Sequence, residues 1–178
     1  MPIRKQLALL LLGILTVPLL QGWTPPEESC EFRRVKAHPD PQALLREYLR
    51  RDFNGEFTSA NQWQMGALLC PGHEPGWDSA TIVASYSIGV AVPGKKVRSF
   101  PVTYQILGST WSDGSIKEEP RRERIVFVLV QTPYGWRIAE PQQNQHLDPR
   151  TLLNEPMYSS EGRRHLQRLV DRSKKRQN

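Results

Sequence analysis

The chain reads as an α+β domain in which N-terminal helices pack on a curved four-stranded antiparallel meander. Three observations predict it. Helical patterning within the domain precedes Cys70, period-two alternation runs from Ala80 to Pro141, and most connections between the alternating segments are short. Short connections favour antiparallel pairing, because a parallel pair needs a long crossover.

Taken in order, the 178 residues begin with Arg4 and Lys5 and then an apolar run from Leu7 to Leu20. A basic start and an apolar run of this length fit a secretory signal better than a membrane span, which needs about 20 residues. Residues 1–22 are therefore read as a signal peptide or an N-terminal anchor, cleavage being favoured, and the protein as secreted or placed in the periplasm or cell envelope. Residues 23–37 read as a linker, 38–156 as one α+β domain and 157–178 as a basic C-terminal tail with helical character.

Asp40-Pro41 is a helix start, an N-cap acceptor followed by proline at the first helical position. Leu44, Leu45, Tyr48 and Leu49 then share a stripe, and Asn54-Gly55 ends the helix. A second, weaker helix is predicted from Ser59 to Leu69, and Pro71 to Asp78 reads as loop.

The first strand, Ala80 to Val92, places Ile82, Ala84, Tyr86, Ile88, Val90 and Val92 on one face. After a turn at Pro93-Gly94-Lys95, Val97 to Leu107 returns with Phe100, Val102, Tyr104 and Ile106 on a face. Pro101 has no donor and calls for an unpaired edge or a bulge. A long loop from Gly108 follows, turning at Asp113-Gly114 and leaving through Glu118, Glu119, Arg121 and Arg122. Ile125 to Val130 is apolar on both faces, as a central strand is, and Val126, Val128 and Val130 would suit a homodimer or a covering helix. Pro133-Tyr134-Gly135 then turns into the last strand, Trp136 to Glu140.

The net charge of +6 belongs to the ends of the chain. Arg163, Arg164, Arg168, Arg172, Lys174, Lys175 and Arg176 crowd the last 18 residues, and the body is close to neutral. With Leu166, Leu169 and Val170 as a thin apolar stripe, this segment reads either as a solvated end or as a surface for an anionic membrane or acidic partner. A neutral body without an aromatic-basic platform argues against nucleic acid.

Cys30 and Cys70 are the only cysteines, and in an oxidising compartment they are expected to pair. Closing a loop of about 40 residues would stabilise the fold by about 4 kcal/mol. Cys70 and His73 alone do not make a zinc site, and no base is in place to activate a thiol. The four histidines do not converge in sequence and read as solvated. Neither a metal nor a cofactor is expected. Trp63, Trp111 and Trp136 read as core or loop anchors, and Trp77 as an exposed contact.

The order of helix, Asn54-Gly55 break, curved meander and closing Gly135-Trp136-Arg137-Ile138 resembles the nuclear-transport-factor-2-like superfamily over residues 38–141; the cystatin-like arrangement is a near neighbour. The resemblance implies a bent sheet wrapped round the first helix, with a pocket at the wide end of the cone. Tyr86, Phe100, Tyr104, Trp77 and His73 are the residues it places at that pocket. Enzymes of the superfamily set Asp, Glu, His or Tyr there, so the catalytic candidates are Tyr86, Tyr104 and Glu140, one phenol stabilising an enolate while the carboxylate moves a proton. The same cone hosts proteins without activity. The favoured function is thus an exported, non-enzymatic domain binding a small apolar ligand or a protein. The alternatives are a pocket enzyme of isomerase or dehydratase type, and an envelope-associated protein docked through its basic tail.

Overall fold

A computed structural model describes residues 38–56, 68–70, 78–141 and 143–177. The leader, the linker, most of the expected second helix and residues 71–77 lie outside the described residues, and with them Cys30, His73 and Trp77.

Helix α1 (Pro41–Phe53) starts and stops where the sequence places it. The Asp40 side chain accepts from the Ala43 N–H at 2.6 Å, and its carbonyl accepts from Leu44 at 3.0 Å. At the other end Gly55 adopts φ 71°, a left-handed turn that costs glycine nothing, so that Glu56 can close back on Arg51. Leu44, Leu45 and Leu49 are fully buried. Each contributes about 1.5–3 kcal/mol by leaving water.

Strands β1 (Ser79–Ile88), β2 (Val97–Trp111), β3 (Ile116–Thr132) and β4 (Gly135–Glu140) pair consecutively and antiparallel. A fifth, β5 (Gln145–Leu147), joins the free edge of β1 in parallel, giving the order β4-β3-β2-β1-β5. The sheet is therefore mixed and five-stranded, where the sequence pattern counts four strands in a meander.

The connection from β4 to β5 requires this sheet to curl. Glu140 lies level with Val128 on β3, while Gln145 is level with Ala80, hence with Thr110 and so with Ile116, at the far end of the same strand. In a flat sheet that offset would be about 40 Å along the strands. Five residue steps reach only about 17 Å. The sheet accordingly closes into a half-barrel, with register shifts at Ile82–Ser85 on β1 and Ile106–Gly108 on β2.

The shift on β1 also divides its side chains between two cores. Val83, with Tyr86 and Ile88 beyond the bulge, packs in a cluster with α1, Phe100, Val102, Tyr104, Ile106, Phe127, Leu129, Trp136 and Ile138. Ile82 and Ala84 belong to a second cluster on the opposite face, where Leu107 joins them. The single apolar face read for Ala80 to Val92 is thus two half-faces, and the strand ends at Ile88. Val90 and Val92 beyond it are 90% and 62% exposed. That early ending suits Pro101: its carbonyl accepts from Gly89 at 2.7 Å, so its missing donor points where β1 has already left the sheet.

Two further departures come from polar segments. The charged exit at Glu118–Arg122 is strand, not loop: β3 runs from Ile116 and pairs with β2 down to Thr110. Opposite charges alternate along it, with Arg121 bonding Glu123 at 3.0 Å and Lys117 paired to Glu119. The turn itself falls at Asp113-Gly114, as expected.

The C-terminal segment covers the second core instead of trailing into solvent. After the short helix α2 (Pro149–Leu152), helix α3 (Ser160–Gln177) is capped by Ser159, whose hydroxyl accepts from Gly162 at 3.1 Å. Leu166 and Leu169 are fully buried against Ile82, Ala84, Leu107, Leu147 and Leu152, and Val170 is 3% exposed. A stripe of three apolar residues is thin, but the face it meets is equally apolar.

Candidate functional site

The concave core brings some of the sequence candidates together and separates others. Tyr86 and Tyr104 are direct cross-strand partners with ring centroids 6.3 Å apart, and Phe53 meets Tyr86 edge-on at 5.5 Å. Phe100 and Tyr104 are buried, Tyr86 half-buried. Glu140 does not join them. It is exposed at the end of β4, opposite Val128, with all of β3 between it and the tyrosine-bearing β2.

The carboxylate that does lie among these tyrosines is Asp52, from the last turn of α1. Both its oxygens accept the His146 backbone N–H at 3.2 Å, and His146 Nδ1 stands 3.6 Å from Oδ2. The imidazole stacks on Tyr104, centroids 4.2 Å apart and 21° between planes. His146 is therefore a buried residue of β5, contrary to the solvated histidine its polar sequence neighbourhood suggests. Among the others, His165 lies 2.8 Å from Glu118, and the His38 Nδ1 accepts the Asp40 N–H at 3.3 Å.

Burial dominates the electrostatics of this cluster. It pushes the Asp52 carboxyl up from its ordinary value, the contacts with His146 drawing it part of the way back. The Tyr48 and Tyr104 phenols are raised well above theirs, by desolvation first and by the Asp52 charge second. Gln143 lies near both hydroxyls and offsets a little of this, although its amide falls outside hydrogen-bonding geometry. A cluster this enclosed ties α1 to β5. The Asp148 N–H, donating to the Phe53 carbonyl at 2.9 Å, adds a second tie one turn of chain away.

The cysteine and the basic residues fall elsewhere. Cys70 is 2% exposed beside β4, its N–H bonded to the Ile138 carbonyl at 2.9 Å, while Cys30 lies outside the described residues. Arg137 is wholly buried in β4. On α3, Arg163, Arg164, Arg168 and Lys174 are exposed, and Arg172 pairs with Glu118 through both oxygens. The side chains of Lys175 and Arg176 lie outside the described residues. Because the apolar stripe of α3 is buried against the sheet, its outer side is polar and mostly charged.

An open cleft of about 240 Å³ lies instead on the side of the second core, where the start of β1, the end of β2, β5 and the α2–α3 connection meet. Ala80, Leu147 and Leu152 contribute apolar lining, and Trp111 and Met157, 37% and 40% exposed, border it. Its polar lining includes Thr110, Tyr158 and Glu155. The Thr110 hydroxyl donates to the Ser115 carbonyl at 2.9 Å, so the 2.8 Å contact between Thr110 and Tyr158 must use the tyrosine proton. Gly114, with φ 79°, lies against the backbone of the lining residue Met157, where a Cβ would come within 2.7 Å of its carbonyl. The cleft escaped the sequence reading, which took Trp111 as a core or loop anchor and found no element between Glu140 and the C-terminal tail. The sole hint was a bulky residue beside the Asp113-Gly114 turn.

Among the described residues no group of three or more His, Cys, Asp or Glu side chains is arranged to hold a metal ion, and no helix there is long and apolar enough to cross a membrane. Comparison with protein-family models, with curated proteins and with solved structures finds no match.

Proposed function

We propose that this protein is an exported, non-enzymatic binding domain that takes a small, largely apolar ligand. The observation that carries the reading is the open cleft of about 240 Å³, with Ala80, Leu147 and Leu152 in its lining and Trp111 and Met157 at its border. Ligand sites are concave, mainly apolar and furnished with a few polar groups. A cavity of about 150 Å³ already holds a benzene ring. In fold terms we read the chain as a cone-like member of the nuclear-transport-factor-2-like group, N-terminal helices lying on a four-stranded meander with β5 added. The position of α1 on the curled sheet and the closing Gly135-Trp136-Arg137-Ile138 support this. Export and a Cys30–Cys70 bridge belong to the same reading, supported by the basic, apolar N-terminal sequence.

Native mass spectrometry of protein from an exporting host, with and without reductant, tests it. Loss of the leader, a mass two hydrogens short before reduction and a non-covalent small-molecule adduct are expected. A full-length, reduced and empty chain overturns it.

One observation favours a pocket enzyme as the second reading. The carboxylate absent at Glu140 is supplied by Asp52, next to His146 and Tyr104. In that case Asp52→Asn and Tyr104→Phe abolish turnover; turnover that survives both in folded protein removes the alternative.

A further inference from the structure

The cleft beside Trp111 has a definite charge preference, and we propose that it receives a small organic cation: a protonated amine on a body of about one ring. This rests on the binding-domain reading and names the ligand class for the same site.

Three observations converge. First, Glu155 is the one charged side chain among the described residues lining the cleft. Asp78 and Asp113 immediately flank the lining residues Ser79 and Ser112 in the chain, and hydrogen bonds from Ser115 hold the Asp113 carboxyl below its ordinary value, so it is ionised at neutral pH. Among the described residues Arg163 approaches the lining residue Tyr158, its Nε donating to the Tyr158 carbonyl at 3.2 Å. Its charge is thereby directed to the start of α3.

Second, the hydroxyl relay has a direction. Tyr158 donates to Thr110, and Thr110 donates to the Ser115 carbonyl. Both protons are committed, and the lone pairs left on the Tyr158 oxygen can only accept. With Glu155 also an acceptor, Tyr158 and Glu155 both favour a donor from the ligand, beside Ser79, Ser112 and Gln145, which can donate or accept. An ammonium offers three donors and no acceptor, whereas a carboxylate or phosphate beside Tyr158 and Glu155 would set acceptor against acceptor and negative charge against negative charge.

Third, the apolar lining suits a cation's body and face. Trp111 is exposed at the border, and an indole face attracts a cation, the more so where water is excluded. Met157 stands exposed beside the same cleft, a polarizable side chain that adapts to ring or alkyl shape. The volume of about 240 Å³ bounds the ligand near one ring with a short arm.

The test uses three probes of nearly one shape: benzylamine, benzyl alcohol and benzoate. Binding to the mature protein is followed by NMR shifts of the Trp111 indole N–H and the Met157 methyl. Benzylamine should bind at least about tenfold tighter than benzyl alcohol, and benzoate not measurably. Glu155→Gln should bring amine and alcohol to equal affinity without altering the melting temperature, and Trp111→Ala should weaken the amine in folded protein. Equal binding of amine and alcohol to the unaltered protein overturns the cation preference but leaves the binding-domain reading standing. Amine binding that Glu155→Gln leaves unchanged, or that moves neither reporter, overturns the assignment to this cleft. If no probe binds, the inference is wrong, and the adduct mass of the exported protein decides the broader reading separately.

Discussion

Asp52 and His146, 94 residues apart, are joined where α1 ends and β5 begins: both carboxylate oxygens accept the same backbone N–H at 3.2 Å. The contact holds the last strand against the first helix inside the curl of the sheet. Replacing Asp52 by Ala would leave a buried N–H without its acceptor, a loss of about 2–3 kcal/mol. Urea unfolding should show it; a loss below about 1 kcal/mol would mean that β5 is held by its pairing with β1 alone.

The same carboxylate sets a pH dependence. Its folded pKa is raised, chiefly by burial, so between the unfolded value and the folded one the native state holds a proton that the unfolded chain has released. Its contribution is therefore fully present in acid and is lost as pH rises through that window. Asp52→Asn keeps an acceptor for His146 and removes the titration. Its stability should fall less with rising pH than that of the parent, in melts taken across the weakly acid range.

Glu118 has the opposite sign. The Arg172 guanidinium first, and His165 after it, hold its carboxyl below the ordinary value. That contribution is present above the unfolded carboxylate pKa and disappears as pH falls through the folded one. The group is partly exposed, so Glu118→Gln should cost no more than about 1 kcal/mol at neutral pH, and less in high salt.

Helix α3 separates a core from a tail. Leu166→Ala and Leu169→Ala each remove a fully buried side chain and should cost about 2–5 kcal/mol. Arg168→Gln, on the exposed side, should stay within about 0.5 kcal/mol. If all three variants melted alike, the packing of α3 on the sheet would be wrong.

Gly114 packs against the backbone of Met157, a residue of the cleft. With φ 79° and the Met157 carbonyl 2.7 Å from where a Cβ would sit, Gly114→Ala should cost about 1–3 kcal/mol and shift the Met157 methyl resonance. An unmoved resonance would show that the turn does not bear on the cleft.

Features encoded by neighbouring residues were legible in the sequence. Asp40-Pro41 and Asn54-Gly55 bracket α1 because caps act within one turn, and Asp113-Gly114 and Pro133-Tyr134-Gly135 mark turns for the same reason. What stayed hidden depended on distant partners. The charged run from Lys117 to Arg124 is strand because β2 lies beside it, and β5 is too short to show a period. Ile82 and Tyr86, an even number of residues apart, face different cores because of a bulge that no alternation pattern can signal. His146 is buried by a residue on α1, and the Glu140 candidate failed because register, not proximity in sequence, decides which strand ends meet.

The five steps from Glu140 to Gln145 act as a drawstring on the sheet. Each inserted residue would release about 3.3 Å of slack, letting the two margins of the half-barrel drift apart without touching any packed side chain. The width of the concave side is thus adjustable by insertion and deletion at one connection, a route to altered capacity that leaves the hydrophobic interior unedited.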